Sequence, residues 1–250
     1  SDTLVAPFND LETTSAIIEK HHDEIGGVIV EPFQRVIPPI PGFLEGLREV
    51  TKHYEIPLIF DEIVTGFRFA YGGAQEYYGV TPDVATLGKT VAGGFPLSAV
   101  VGSEEIMDHF DSTKVSKEDY VKQVGTLSGN PIASIAGLAT LKVLRREGTY
   151  DRLFAMGNKL KDALQTFLDQ AEIPAQVIGE PPLFDVFFMN EKIVDYRTTQ
   201  KNDKAKMARF NQVLLDNGIL KSDVKSYVST VHTKDDIQST IQAYKTAIDV

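Results

Sequence analysis

Two residues of this 250-residue chain stand where they could share one ligand. Asp61 closes Pro57-Leu58-Ile59-Phe60-Asp61, a short apolar run of the kind that forms a strand buried on both faces. In open α/β sheets, ligands bind at the carboxyl edge of such strands. Lys89 lies two positions beyond Val84-Ala85-Thr86-Leu87, a run of the same character. If the two strands are neighbours, their ends are about 5 Å apart. Taken singly, the aspartate is a turn cap and the lysine a solvated surface group. The pair means more because Lys89 precedes Val91-Ala92-Gly93-Gly94-Phe95-Pro96, whose two glycines let backbone approach a bound group closely. A lysine in that setting can act as a nucleophilic amine.

Strand and helix patterns alternate through the elements that must position this pair. Asn9-Asp10 can cap a helix reaching about Lys20, and Gly27-Val28-Ile29-Val30-Glu31 reads as another strand buried on both faces. Pro41 opens a helix with Phe43, Leu44, Leu47 and Val50 at helical spacing. Helix-length connections between strands imply parallel pairing with right-handed crossovers. Leu97-Ser98-Ala99-Val100-Val101 follows the third strand too closely for a helix, so it is expected antiparallel. Pro131 begins an Ala-rich helix reaching about Arg146. Beyond Tyr150 the pattern gives a helix over 151–170, a strand over 183–188 and a helix over 205–217 ended by Gly218. A last helix follows Thr233, with Asp236 completing a capping box. The expected fold is α/β: a mostly parallel sheet with helices on both faces over residues 1–147, plus a small C-terminal α+β lobe over 148–250.

Composition narrows the function. Hydrophobic residues are 42% and charged residues 24%, as in ordinary globular chains. With 25 Lys+Arg against 35 Asp+Glu, net charge −10, and no basic block, nucleic acid is not an expected partner. No apolar run reaches the roughly 20 residues that span a bilayer, so no membrane is expected either. Zero cysteines exclude a disulfide framework, a cysteine-ligated zinc and a thiol nucleophile, and fit a cytoplasmic location. His21-His22-Asp23 reads as a solvated helix end, and His53, His109 and His232 have no metal-ligand spacing, so no metal is expected. Neither G-x-S-x-G, G-x-G-x-x-G nor a P-loop is present.

An aspartate beside a Schiff-base lysine is what pyridoxal phosphate chemistry requires. The carboxylate keeps the pyridine nitrogen protonated so that the ring accepts electrons, while the lysine holds the aldehyde and then moves a proton. Ile59-Phe60-Asp61-Glu62-Ile63-Val64-Thr65-Gly66-Phe67-Arg68 and Leu87-Gly88-Lys89-Thr90-Val91-Ala92-Gly93-Gly94-Phe95-Pro96 resemble the class III aminotransferases, of fold type I among pyridoxal phosphate enzymes. The glutamate-1-semialdehyde aminomutase-like branch is the most similar in look. Val30-Glu31-Pro32 and Gly125-Thr126-Leu127-Ser128-Gly129-Asn130-Pro131 fall in the order that this resemblance requires.

The resemblance implies a role for each matching residue. Lys89 is the Schiff-base lysine, Asp61 the pyridinium partner, and Ile63 packs on one ring face. Thr126 donates to the cofactor phosphate from the neighbouring subunit of a homodimer with shared active sites. Gln34 bonds the ring hydroxyl and Arg35 meets a substrate carboxylate, although such residues are more often loop surface; Arg68 reads as a structural ion-pair partner rather than a substrate clamp. The implied reaction moves an amino group from an amine or amino acid donor to a keto acid or aldehyde acceptor. Intramolecular 2,1-aminomutation, a non-catalytic module on the same fold, and a cofactor-free Schiff-base aldolase are the alternatives. Leu183-Phe184-Asp185-Val186-Phe187-Phe188 departs from the glycine-containing pattern of the aminomutases, which favours aminotransfer. The family's phosphate-cradling turn and ring-stacking aromatic are not found ahead of Glu31, so the chain is expected to be part of a longer one.

Overall fold

A computed structural model describes residues 2–249. The chain divides into two compact units: one runs to Pro32 and resumes over Pro39–Arg146, and the other joins Phe33–Pro38 to the chain from Glu147 on.

In the first unit, α1 (Leu11–His21) starts where the Asp10 carboxylate accepts from Thr13 N at 2.9 Å. Next come β1 (Val28–Val30), α2 (Phe43–His53), β2 (Leu58–Glu62), α3 (Gly73–Tyr78) and β3 (Val84–Leu87). β4 (Ala99–Gly102), the short α4 (Glu104–Met107) and α5 (Pro131–Leu144) complete it. The sheet order is β1-β2-β3-β4, with β1/β2 and β2/β3 parallel and β3/β4 antiparallel. The expected parallel pairing and antiparallel fourth strand are both present. Asp83 aligns β2 with β3: its Oδ2 accepts from Leu58 N at 2.7 Å, while its own N–H donates to Leu58 O at 2.9 Å. Arg48 of α2 holds the same carboxylate at 2.6 Å.

The sequence misleads at two places here. β1 was expected to be buried on both faces, yet Ile29 is 64% exposed. Among the described residues β1 is an edge strand of the sheet, with β2 on one side. α2 begins two residues after Pro41, because Gly42 first turns through a left-handed conformation at φ 87°. On α5, Ile132, Ile135 and Leu138 are 66%, 67% and 60% exposed, whereas Ala133 and Gly137 on the opposite side are buried.

The second unit contains α6 (Thr149–Gln170), β5 (Gln176–Glu180), β6 (Leu183–Phe187) and α7 (Tyr196–Thr199). α8 (Lys204–Asp216), β7 (Ser226–Tyr227) and α9 (Lys234–Ile248) follow, and the antiparallel sheet order is β5-β6-β7. β5 escapes sequence detection because Val177 and Ile178 are its only large apolar residues. α9 begins with the expected capping box between Thr233 and Asp236. Phe184 and Val186 of β6 enter a core with Leu164, Leu168, Phe210, Leu214 and Tyr244. Burying each such side chain contributes about 1.5–3 kcal/mol.

The core of this unit also holds a charge. Asp185, on β6, is buried and paired with the nearly buried Lys221, whose Nζ lies 3.2 Å from its carboxylate. Val186 N also donates to Asp185 Oδ1, at 3.0 Å. Burial pushes the Asp185 carboxyl up to about 6, against the opposing pull of Lys221 and the Val186 N–H. An acid with a raised folded-state pKa stabilises the fold below its unfolded value, and that contribution is lost as pH rises through the folded value. Between about pH 4 and pH 6 the effect is on the order of 2 kcal/mol. Urea unfolding of wild type and Asp185→Asn at both ends of this window should therefore show wild type losing stability relative to the variant as pH rises. A stability gap that is the same at both pH values would mean that Asp185 titrates normally.

Candidate active site

The β2/β3 register pairs Asp61 with Thr86, so the carboxylate at the end of β2 lies beside the strand that leads into Lys89. Asp61 is half-buried. Its Oδ1 accepts from Ile63 N at 3.0 Å and from Thr86 Oγ1 at 3.3 Å, which fixes the carboxyl plane. The turn-cap role is therefore real, and it is filled by one of the two oxygens.

Beyond β3 the backbone is extended at Gly88 and then enters a left-handed conformation at Lys89, with φ 46°. Lys89 opens a 3-10 turn to Ala92 and is exposed. A non-glycine residue with positive φ is uncommon, and it persists where its surroundings over-determine it. Two close approaches do so here. A Cβ on Gly88 would sit 3.0 Å from Ile63 Cδ1, so the Ile63 side chain covers the backbone immediately before Lys89. On the other side α5 comes so near the turn that a Cβ on Gly137 would lie 2.9 Å from Val91 O.

Asp61, Ile63 and the Lys89 turn thus share one neighbourhood of the first unit. Thr126 belongs to the same unit, exposed in a turn four residues before the α5 N-cap, Asn130. Asn130 itself satisfies Ala133 N at 2.8 Å, so one helix-start donor is already taken. Gln34 and Arg35 fall in the second unit, with the segment Phe33–Pro38. Gln34 and Ile37 exchange backbone hydrogen bonds of 3.1 and 2.8 Å across a tight turn, and Gln34 Oε1 is buried without a partner. Arg35 has φ 61°, and its guanidinium lies 4.5 Å from the Tyr196 ring centroid. Arg35, Tyr196, Asn211 and Lys221 border a cavity of about 730 Å³ within that unit.

Sequence reasoning passed over Glu62. It has no exposed surface, although it follows Asp61 directly. The available signal was position alone: in a strand that alternates sides, an acid next to a half-exposed aspartate must turn inward and find donors.

The side chains present suit an aldehyde cofactor that carries a basic ring nitrogen. Asp61 offers a fixed carboxylate, Lys89 a primary amine held by a constrained turn, and Ile63 an apolar surface between them.

A mixed α/β sheet of this kind matches that of solved transaminases. The chain matches the family Aminotransferase class-III over residues 1–248 and belongs to it. Glutamate-1-semialdehyde 2,1-aminomutase of Natranaerobius thermophilus is 40% identical over 247 residues, covering 96% of this chain and 56% of that protein. An omega-transaminase structure from Sphaerobacter thermophilus superposes with a TM-score of 0.92 at 34% identity, covering 98% of this chain and 57% of that one. A transaminase solved with PLP bound gives a TM-score of 0.88 at 26% identity, covering 99% and 57%. The chain therefore spans little more than half the length of the relatives it matches. Among the described residues no helix is long and apolar enough to cross a membrane.

The left-handed backbone at Lys89 separates its conformational demand from its chemistry. Lys89→Gly and Lys89→Ala both remove the amine, but glycine alone adopts this conformation without a steric cost. The glycine variant should unfold about 1 kcal/mol later than the alanine variant in a denaturant titration. Equal stabilities would mean that residue 89 is not held at positive φ.

Proposed function

We propose that the full-length protein is a pyridoxal 5'-phosphate-dependent aminotransferase, moving an amino group between an amino acid or amine and a keto acid or aldehyde. The observation that carries this reading is the register that sets Asp61 beside the strand entering the strained Lys89 turn. Family membership supports it. Bound there, the cofactor would supply an electron sink for the carbon that bears the amine.

Each residue then has a task. Asp61, its plane fixed through one oxygen, keeps a proton on the ring nitrogen. Lys89 Nζ would hold the aldehyde of the cofactor, and its free amine would serve as the base and acid that moves a proton off and onto the substrate carbon. Ile63 packs on one face of the ring. Gln34 Oε1, buried and unpartnered, is an acceptor suited to the ring hydroxyl, and Arg35 is suited to a substrate carboxylate. Thr126 donates to the cofactor phosphate of a second copy. Its exposure and the apolar residues exposed on neighbouring α5 support a homodimer with shared sites. The absence of cysteine supports a cytoplasmic location.

A second reading, 2,1-aminomutation, is favoured by the 40% identity to an aminomutase. The two differ in whether the amine returns to the same molecule. A requirement for a separate keto or aldehyde acceptor in steady-state turnover selects aminotransfer.

Borohydride treatment of the cofactor-loaded full-length protein should fix the pyridoxyl group on Lys89, as read by peptide mass spectrometry. Fixation on another lysine overturns the assignment. Asp61→Asn keeps the shape and removes the charge, and should slow the amine half-reaction by several orders of magnitude in stopped-flow absorbance. A near wild-type rate would leave Asp61 as a turn cap only.

Subunit sharing has its own test. A mixture of full-length Lys89→Ala and Thr126→Ala subunits should regain activity, because each mixed dimer contains one site with both native residues. Mixed dimers that form without activity above the homodimer controls would place Thr126 outside the partner's site.

A further inference from the structure

The buried carboxylate of Glu62 closes a loop. Its oxygens accept from Thr65 Oγ1 at 3.0 Å, Ala74 N at 2.6 Å, Gln75 N at 3.2 Å and Gln75 Nε2 at 3.0 Å. Both ends of the segment between β2 and α3 are thereby tied to one side chain. The fit leaves no spare room: a Cβ on Gly73, which has φ 78°, would run into the Glu62 carboxylate. Within the loop Gly66 N donates to Glu62 O at 2.8 Å and Arg68 N to Thr65 O at 3.0 Å, so its backbone is fixed from inside as well.

From this loop a half-buried Arg68 reaches towards β3. Its Nε donates to Val64 O at 2.7 Å, which orients the guanidinium, and its Nη2 donates to Thr90 Oγ1 at 3.2 Å. Thr90 is the residue next to Lys89, in the turn whose first residue is held at φ 46°. An unfavourable backbone conformation relaxes unless neighbours hold it. The Glu62-clamped loop and the Arg68 guanidinium supply such a hold on the strand side of the turn, opposite the close approach of α5.

We propose that Arg68 is a positioning residue for Lys89, holding Thr90 so that the Lys89 backbone stays left-handed and its amine is presented for reaction. Glu62 acts one step further back by fixing the loop that carries Arg68. The inference rests on the proposed role of Lys89 as the reactive amine, and its test has one arm that is independent of that role.

The test uses full-length Arg68→Met, Thr90→Val, their double variant, and the conservative Thr90→Ser. In the cofactor-free protein, amide hydrogen exchange is followed across residues 88–97, where Val91 N bonds Gly88 O and Gly93 N bonds Thr90 O. Each single variant should exchange there about threefold or more faster, the double variant no faster than the worse single, and Thr90→Ser as wild type. In the second arm, pyridoxal phosphate is added and its capture on Lys89 is timed by borohydride quenching. Capture should slow roughly tenfold in both single variants, at unchanged melting temperature, with Thr90→Ser again restoring the wild-type rate.

Multiplying effects in the double variant, or unchanged exchange over 88–97 in both singles, overturn the proposal. So does a capture rate that stays at the wild-type value while only exchange or melting shifts, since Arg68 would then serve the fold alone. Should Arg68→Met fail to fold, the Thr90→Val and Thr90→Ser pair decides, because the valine keeps the shape and removes only the hydroxyl that Arg68 bonds. If the wild-type protein captures no cofactor on Lys89, the functional reading fails, and the exchange arm alone decides the coupling of Arg68, Thr90 and Lys89.

Discussion

Parallel strands have no hairpin to fix their alignment, so β2 and β3 need something else to set which residue faces which. Asp83 supplies it. Its backbone N–H and its carboxylate take hold of the carbonyl and N–H of Leu58, while Arg48 neutralises the charge that this requires. A slip of one residue would send Asp61 to the side of the strand where Glu62 now lies, because side chains alternate along it. The carboxylate would then be enclosed and Glu62 would lose its donors. Every later feature of the site, from the Thr86 hydrogen bond to the direction of the Lys89 turn, presupposes this alignment.

The sheet was legible because its signals are local. Short β-branched runs bounded by glycine and proline gave β2 and β3, and the short gap before Leu97 gave the antiparallel β4. Asp10 and the Thr233–Asp236 pair were equally readable, since a cap is a matter of a few residues. What the sequence concealed depends on distant partners. Exposure at Ile29 follows from the position of β1 in the sheet order, and no change of composition marks Phe33–Pro38 as belonging with the second unit.

For the site the same division holds. That Asp61 and the turn carrying Lys89 lie at the ends of neighbouring strands could be anticipated from type and spacing. The left-handed backbone of Lys89 could not, because the residue is not glycine and nothing local asks for positive φ. Arg68 is a similar case: read as a structural side chain, it bonds the hydroxyl beside Lys89 over a separation of 22 residues. The buried pair of Asp185 and Lys221, 36 residues apart, left only the trace of an aspartate inside an otherwise apolar strand.

The two sides of α5 have a practical consequence for handling the chain in water. One side is small enough to lie against the Lys89 turn, and the other presents Ile132, Ile135 and Leu138 to solvent. Contact between copies of the polypeptide through that apolar stripe would be opposed by mutual repulsion from a net charge of −10. That repulsion reaches only about 10 Å at 0.1 M salt and less above it. Raising ionic strength thus leaves the stripe unopposed, and for this chain dilute, low-salt buffers above its pI of about 5.0 favour a dispersed sample over a precipitating one.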